Sequence, residues 1–501
     1  MELKQALSVY NKTTKILKAF EYVEYLNSWD IQTEAPIDSI KEKNIQMEYF
    51  SNLEYEIQTG KEYQEAINCL YQNKDKLDFV MQYEITKVKE NIDKIAKIPQ
   101  EEYVKYGTLL NNAYMAFVEA KNNNDFLKVK PFLNEIIEYK KKYIVWQKGK
   151  LTGYNILLNE YEEGTNVKMY DEFFDLIKQK LIPLIKIINQ KKLNFNRKVF
   201  EQKFDVEKQK QFSQYLKDVL CMDKNKFVIK QSEHPFTTNF TNKDVRITNH
   251  YHEDILNSAI FSDIHEMGHA LYELQVDDSL NYTNSSGGAS MAMHESQSRF
   301  MENIIGRSYE FWEVHFSKLK ELFSTELKDC TIKDFYNYVN ESQCDFIRTE
   351  ADELTYPIHI LIRYEIEKGI FENKYQIDDL PKVWNNLYKE YLGLDVKEYK
   401  KGILQDVHWY GGDFGYFPTY ALGSAYSCQI LNSMQKDFDV YGSLKQGNIR
   451  QIANWLKENI HTFDSSKSPK DILEFATKEK FNPNYYIDYL VNKYKKLYEI
   501  E

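Results

Sequence analysis

Glycine and proline are scarce in this chain: of 501 residues, 18 are Gly and 10 are Pro. That is about half the ordinary globular share, and turns between strands depend on these two residues, so an all-β fold is disfavoured. Cysteine is sparse too. Cys69, Cys221, Cys330, Cys344 and Cys428 are odd in number, widely spaced and without a CxxC pair, which argues against a disulfide framework or a thiolate zinc site and for free thiols in a reducing compartment. No run of 18 apolar residues occurs, and the start MELKQALSVYNKTTKILKAF has neither the apolar stretch nor the cleavage site of a signal peptide,. The expectation is a soluble, cytoplasmic protein with no membrane partner. An excess of basic charge is also missing: 76 acidic side chains stand against 65 basic ones, a net −11 with His neutral, and Lys and Glu interleave. A chain built to neutralise phosphates has the opposite balance, so no nucleic-acid partner is expected.

What is present is enough apolar material for a core, 43% of residues,. Length alone would allow about three domains, yet no linker or composition change marks a boundary, and one unit over residues 1–501 is expected. Residues 1–225 show apolar and aromatic positions every three or four residues, the amphipathic-helix pattern. Its breaks fall at Asn122–Asn124, Gly149–Gly153 and Glu162–Thr165. The run Lys140–Lys142 reads as a solvated helix face. Residues 226–252 change to FVIK, HPFTTNF and DVRITNHY, which predicts a small antiparallel sheet. Helices resume at 253–305, with Ile255, Ala259, Ile260, Ala270, Leu271 and Leu274 as a buried stripe and Asp254 as its cap. Residues 306–501 are helical again apart from Gly402–Gly423, which holds five of the glycines (Gly402, Gly411, Gly412, Gly415, Gly423) and reads as a loop that closes over a site,. The fold class is mostly α, with a small sheet beside the first helix of the 253–305 stretch.

That helix carries His265-Glu266-Met267-Gly268-His269. Two histidines at i and i+4 share a helix face one turn apart and fit two vertices of a zinc site. Glu266, beside the first, is placed to act on water at the metal. A third ligand must come from an acid further along: Glu273, Glu295 or Glu302. Glu295 follows the Ser285-Ser286-Gly287-Gly288 break at the start of a second helix, and spacing and loop context favour it. Competing chemistries lack their parts, since there is no GxSxG elbow, phosphate loop or GxGxxG fingerprint, and nothing local activates Cys344 or Cys428.

The motifs HPF (His234–Phe236), DVRIT (Asp244–Thr248), HEMGH (His265–His269), HESQ (His294–Gln297), IRTEAD (Ile347–Asp352) and GILQDVHW (Gly402–Trp409), with Ser28-Trp29-Asp30 in the amino-terminal part, resemble the Taq-type (thermostable) metallocarboxypeptidase family. The resemblance spans essentially the whole chain. It implies a helical single-domain fold with a long deep groove, removal of carboxy-terminal residues from peptides, metal ligands at His265, His269 and Glu295, a catalytic carboxylate at Glu266, and a homodimer. The strand departs from the family pattern at Asn249-His250-Tyr251, which bears on substrate preference.

The expected chemistry is hydrolysis by water that one zinc per chain acidifies and Glu266 deprotonates; cobalt or another divalent ion suits the same donors. His408 and Tyr420 are candidate oxyanion donors. Arg348 is the candidate receiver of the substrate's terminal carboxylate, oriented by Asp352, with Arg246 and Arg363 as alternatives. His234 is a candidate groove residue, and the strand Asp244–Tyr251 could pair with an extended peptide. An oligopeptidase cutting internal bonds is the alternative activity. A non-catalytic peptide-binding scaffold is a weaker one, because Glu266 is intact.

Overall fold

Several helices in this chain begin where the sequence supplies a capping oxygen. Asp78, Asp125, Asn166, Asp205 and Ser290 each accept a hydrogen bond from a backbone N–H of the first turn, satisfying a donor the helix itself leaves free. The structure is a computed structural model that describes residues 1–500.

The amino-terminal layer consists of α1 (Leu3–Thr33), α2 (Ile40–Gln58), α3 (Lys61–Gln72) and α4 (Phe79–Ala96). It packs around a small core of its own, made by Ala6, Tyr10, Tyr63, Ala66, Ile67, Leu70 and Ile85. Then come α5 (Gln100–Asn123), α6 (Phe126–Trp146), α7 (Tyr154–Tyr161), α8 (Val167–Ile188) and α9 (Val206–Val219). In α8 the positions Tyr170, Phe173, Phe174, Ile177, Leu181, Leu184, Ile185 and Ile188 are all buried, the three-and-four spacing that turns one face to a core. That core is the main one and extends from Ala113 to Tyr498.

Three strands come next, β1 (Phe227–Gln231), β2 (Thr237–Thr241) and β3 (Asp244–Asn249). The expected antiparallel sheet needs correction: the order is β1-β3-β2, with β2 antiparallel to β3 but β1 parallel to it. Strand-forming residues mark the segments without saying which neighbour each will take. The tight Asn242-Lys243 turn joins β2 to β3, so β1 is left the far edge of β3, where it runs parallel.

The sheet lies on α10 (Leu256–Leu274), and Asn249 donates its Nδ2 to the Ala259 carbonyl at 2.9 Å. The expected Asp254 cap is absent. The helix starts after Ile255, no side chain caps it, and Ile255 is exposed rather than part of the buried stripe. Next are α11 (Met291–Arg299), a π-helical turn at Phe300–Gly306, and α12 (Tyr309–Leu322), α13 (Ile332–Asn340), α14 (Tyr356–Phe371) and α15 (Leu380–Leu392). The chain closes with α16 (Pro418–Asp437), α17 (Val440–Lys445), α18 (Ile449–Asn459), α19 (Pro469–Thr477) and α20 (Asn484–Leu497).

The glycine-rich loop ends sooner than its glycines imply, because Gly423 lies inside α16. The rest of the loop is pinned from below. Buried Glu367 accepts hydrogen bonds from Tyr154 Oη (2.6 Å), Trp409 Nε1 (2.7 Å) and the Gly415 N–H (2.6 Å). Among the described residues, no helix is long and apolar enough to cross a membrane.

Candidate metal centre

Two glycines let α11 approach its neighbours. A Cβ on Gly268 of α10 would sit 2.7 Å from the Gln297 carbonyl oxygen and from Ser298 Cα, and one on Gly423 of α16 would sit 2.8 Å from Glu295 Cβ. With α11 wedged between α10 and α16, His265, His269 and Glu295 converge. One potential ligand atom from each lies within 4.8 Å of the others. Glu295 Oε2 is 3.8 Å from His265 Nε2 and 3.6 Å from His269 Nε2. Its other oxygen is engaged by Arg299 Nε at 2.6 Å, so Oε2 is the one turned toward the imidazoles. Two imidazole nitrogens and one carboxylate oxygen are a donor set that fits a divalent catalytic metal.

The two acids that competed with Glu295 stand behind the histidines. Glu302 Oε2 lies 3.0 Å from His265 Nδ1 and also receives Arg299 Nη1 at 3.0 Å. Burial alone would raise the Glu302 carboxyl, but Arg299, His265 and Arg307 hold it well below the usual carboxylate range. Seven residues after Glu295, Glu302 would return to the same face of an α-helix; the π-helical turn from Phe300 shifts that phase,. Glu273 lies 2.7 Å from His294 Nε2 through Oε1 and accepts Asn239 Nδ2 at 2.6 Å. His294 Nδ1 in turn meets His269 Nδ1 at 2.6 Å. These are the outer partners that fix ring orientation at metal sites.

Glu266 points away from the ligands' outer partners and toward β2, where Thr237 Oγ1 donates to its Oε2 at 2.6 Å. Burial lifts the Glu266 carboxyl above its usual range, with His265 and Thr237 pulling the other way. That is the direction a proton acceptor working near neutrality requires.

Arg348 is buried and is not oriented by Asp352. Asp352 instead accepts from the backbone N–H groups of Gln343 and Leu354 and from Thr355 Oγ1. Asp406 holds Arg348, its Oδ1 3.0 Å from Nε and 2.9 Å from Nη2, while its Oδ2 takes Nε and Nη2 of Arg363 at 2.8 and 2.5 Å. Two guanidiniums share one carboxylate, which leaves a unit positive charge. Burial would raise the Asp406 carboxyl, but Arg363 and Arg348 keep it well below the usual range. Tyr420 lies with its ring 5.0 Å from the Arg348 guanidinium and its hydroxyl 3.2 Å from His408 Nε2. Burial, joined by Arg348 and Arg363 against the pull of Asp406, lowers His408 to about 4, so its ring is neutral.

The alternatives to Arg348 are otherwise engaged. Arg363 is fully buried on Asp406, and Arg246 is paired with Asp244 beneath the rings of Tyr25 and Trp29. His234 is exposed between β1 and β2, and only its carbonyl, accepting from Ser232 Oγ at 2.6 Å, is tied down. Sequence reasoning passed over Arg299, Thr237 and Asp406. The i, i+4 spacing of Glu295 and Arg299, and the place of Asp406 two residues before His408, were the signals that could have found two of them.

The chain is similar to known proteins of one family. The profile of the carboxypeptidase Taq (M32) metallopeptidase family matches residues 9–494. Carboxypeptidase 1 of Bacillus subtilis (strain 168) is 41% identical over 474 residues, 94% of this chain and 95% of that one. Thermostable carboxypeptidase 1 of Pyrococcus furiosus is 34% identical over 505 residues, covering 98% of both. The crystal structure of the M32 carboxypeptidase from Deinococcus radiodurans R1 superposes with a TM-score of 0.94 at 27% identity, covering 99% of each chain. A helical fold, a two-histidine, one-glutamate donor set and matches that run nearly end to end lead to one conclusion: this chain belongs to the carboxypeptidase Taq (M32) metallopeptidase family and is a metal-dependent carboxypeptidase.

Proposed function

We propose that the chain hydrolyses the carboxy-terminal bond of peptides with one zinc held by His265, His269 and Glu295, and with Glu266 moving the proton. The observation that carries this reading is the convergence of the three ligand atoms beside a buried carboxylate whose pKa is raised. A divalent cation bound there supplies Lewis acidity toward water and the scissile carbonyl. Glu266 takes a proton from the attacking water as its oxygen bonds to the carbonyl carbon, then delivers that proton to the nitrogen as the C–N bond breaks. Thr237 aims the carboxylate for both transfers.

Arg348 receives the substrate's terminal carboxylate in this reading. Of the five N–H groups of a guanidinium, two go to Asp406 and one to Tyr356 Oη, which leaves two further donors on a guanidinium that lies 5.0 Å from the Tyr420 ring. The unit positive charge of the Arg348–Asp406–Arg363 group supports the same role. Burial keeps the Tyr420 phenol protonated, so Tyr420, with neutral His408 behind it, is the proposed oxyanion donor. His234 would meet the peptide away from the scissile bond. The whole chain works as one catalytic unit. Five free cysteines support a cytoplasmic location,. Exposed Ile37, Ile45, Tyr49 and Tyr55 offer apolar surface that a second copy in a homodimer would cover,.

Mass spectrometry of products from one peptide with a free and an amidated carboxy terminus tests the reading, with wild type and Glu266→Gln compared. Only the free form should lose its terminal residue, and the variant should be slower by about 100-fold or more with metal content unchanged. Equal cleavage of both peptides would show an oligopeptidase; full activity in Glu266→Gln would remove that residue from the mechanism.

A further inference from the structure

The loop between the two ligand-bearing helices is held at four points, three of them from parts of the chain that carry no ligand. From one side, Asp464 Oδ2 and Oδ1 accept the N–H groups of Gly287 and Gly288 at 3.1 and 2.5 Å. From α10, Tyr272 Oη accepts the Ala289 N–H at 3.2 Å. From a third side, Glu162 Oε2 accepts the Ala292 N–H at the start of α11 at 3.2 Å. The fourth anchor comes from the amino-terminal layer, which has its own core. Glu84 of α4 is buried, 3% exposed, and forms no ion pair with any described residue. Its Oε1 accepts Tyr10 Oη at 2.6 Å and the Asn284 N–H at 3.2 Å, and its Oε2 accepts Ser285 Oγ at 3.2 Å. Asn284 Nδ2 donates back to Tyr10 Oη at 2.8 Å.

The same loop reaches the centre four residues on. A Cβ on Gly288 would lie 2.6 Å from His294 Cδ2, so the backbone at Gly288 packs close against the ring that meets His269. A continuous set of contacts therefore runs from Tyr10 and Glu84 through Asn284, Ser285 and Gly288 to His294 and His269.

We infer that Glu84 is a positioning residue for the metal centre, tying the placement of the amino-terminal helices to the orientation of His294 and, through it, of His269. Buried Glu84 spends its acceptors on joining Tyr10 to this loop. The inference rests on the proposed ligand set. A layer that contributes no ligand thus helps determine how firmly the metal is held, and a shift of that layer is felt at the centre.

The test is the rate at which the zinc-loaded full chain releases zinc to excess chromogenic chelator, with melting temperature measured beside it. Wild type, Glu84→Ala, Glu84→Gln, Tyr10→Phe and Glu295→Gln are compared. Glu84→Ala should release zinc about tenfold faster, as loss of an outer partner does. Tyr10→Phe keeps the ring against Tyr63 (centroids 5.9 Å apart) and removes only the hydroxyl; it should accelerate release by about threefold, on the same scale. Glu84→Gln, which keeps an acceptor, should stay within about twofold of wild type. Should Glu84→Ala fail to fold, Tyr10→Phe against Glu84→Gln decides. A lowered melting temperature with unchanged zinc release in the alanine and phenylalanine variants would overturn the inference. Unchanged zinc release in Glu295→Gln would instead overturn the ligand set itself.

Discussion

His294 and His269 face one another through their Nδ1 atoms at 2.6 Å. Only one proton fits between two nitrogens at that distance, so the pair fixes a tautomer. For His269 to offer Nε2 to a metal, its proton sits on Nδ1; His294 accepts it there and gives its own Nε2–H to Glu273, 2.7 Å away. In the proposed site Glu273 would thereby select the metal-binding tautomer of His269 through the single ring of His294.

Glu273→Gln should therefore weaken metal binding by about tenfold or more, since outer partners of ligating histidines commonly carry that much. The amide can present its nitrogen to His294 Nε2 and favour the wrong tautomer. Competition against a metal-chelating dye measures the loss. Unchanged affinity would mean that Asn239 and the surrounding packing hold His294 without the carboxylate.

Gly423→Ala should destabilise the chain by about 1–3 kcal/mol, the usual cost of overpacking. The new methyl would meet Glu295 Cβ at 2.8 Å and the Ala292 carbonyl oxygen at 2.9 Å, both on α11. Because the strain falls on the helix that carries Glu295, metal affinity should drop with the melting temperature. Calorimetry and metal titration on the same sample check both.

Asp406→Asn leaves Arg348 and Arg363 without their shared counter-charge. Breaking a buried pair from one side costs about 3–5 kcal/mol, so a large loss of stability is expected, and KM for free-carboxylate peptides should rise as Arg348 loses its orientation. The pH dependence has a definite sign. The Asp406 carboxyl sits below its unfolded value, so its contribution is present above about pH 4 and is lost as acid protonates it. Denaturant unfolding of wild type and variant from pH 7 down to pH 3 should show the gap between them narrowing.

His408 titrates in the opposite sense to a histidine that has gained an acidic partner. Its pKa falls from 6.5 to about 4, so the stability it contributes is complete above pH 6.5 and drains away as the pH falls toward 4. An NMR titration should find its ring neutral at about pH 5.5, where a free imidazole is mostly protonated. A midpoint near 6.5 would show that Arg348, Arg363 and burial do not act on it as the packing implies.

The closeness of His265, Glu266 and His269 was readable because their geometry is local. An i, i+4 pair on one helix needs nothing else to bring its imidazoles together, and the Ser285–Gly288 break announced the second helix that carries Glu295. What the sequence hid depends on distant partners. Asp352 lies one turn from Arg348, yet the guanidinium turns to Asp406, which the chain brings near only after α14 and α15 are in place. Five glycines between Gly402 and Gly423 read as one mobile loop, but Gly423 is a contact point between α16 and Glu295 that only the packed helices reveal. The parallel pairing of β1 was likewise a matter of which edge remained open, and alternating side chains carry no record of that.

The π-helical turn at Phe300–Gly306 makes the length of this segment matter as much as its composition. Removing one residue ahead of Glu302 would shift that side chain by one helical position, about 100°, and carry it off His265. All seven residues of the segment are buried, so a single-codon deletion there should cost more than the loss of any one exposed side chain.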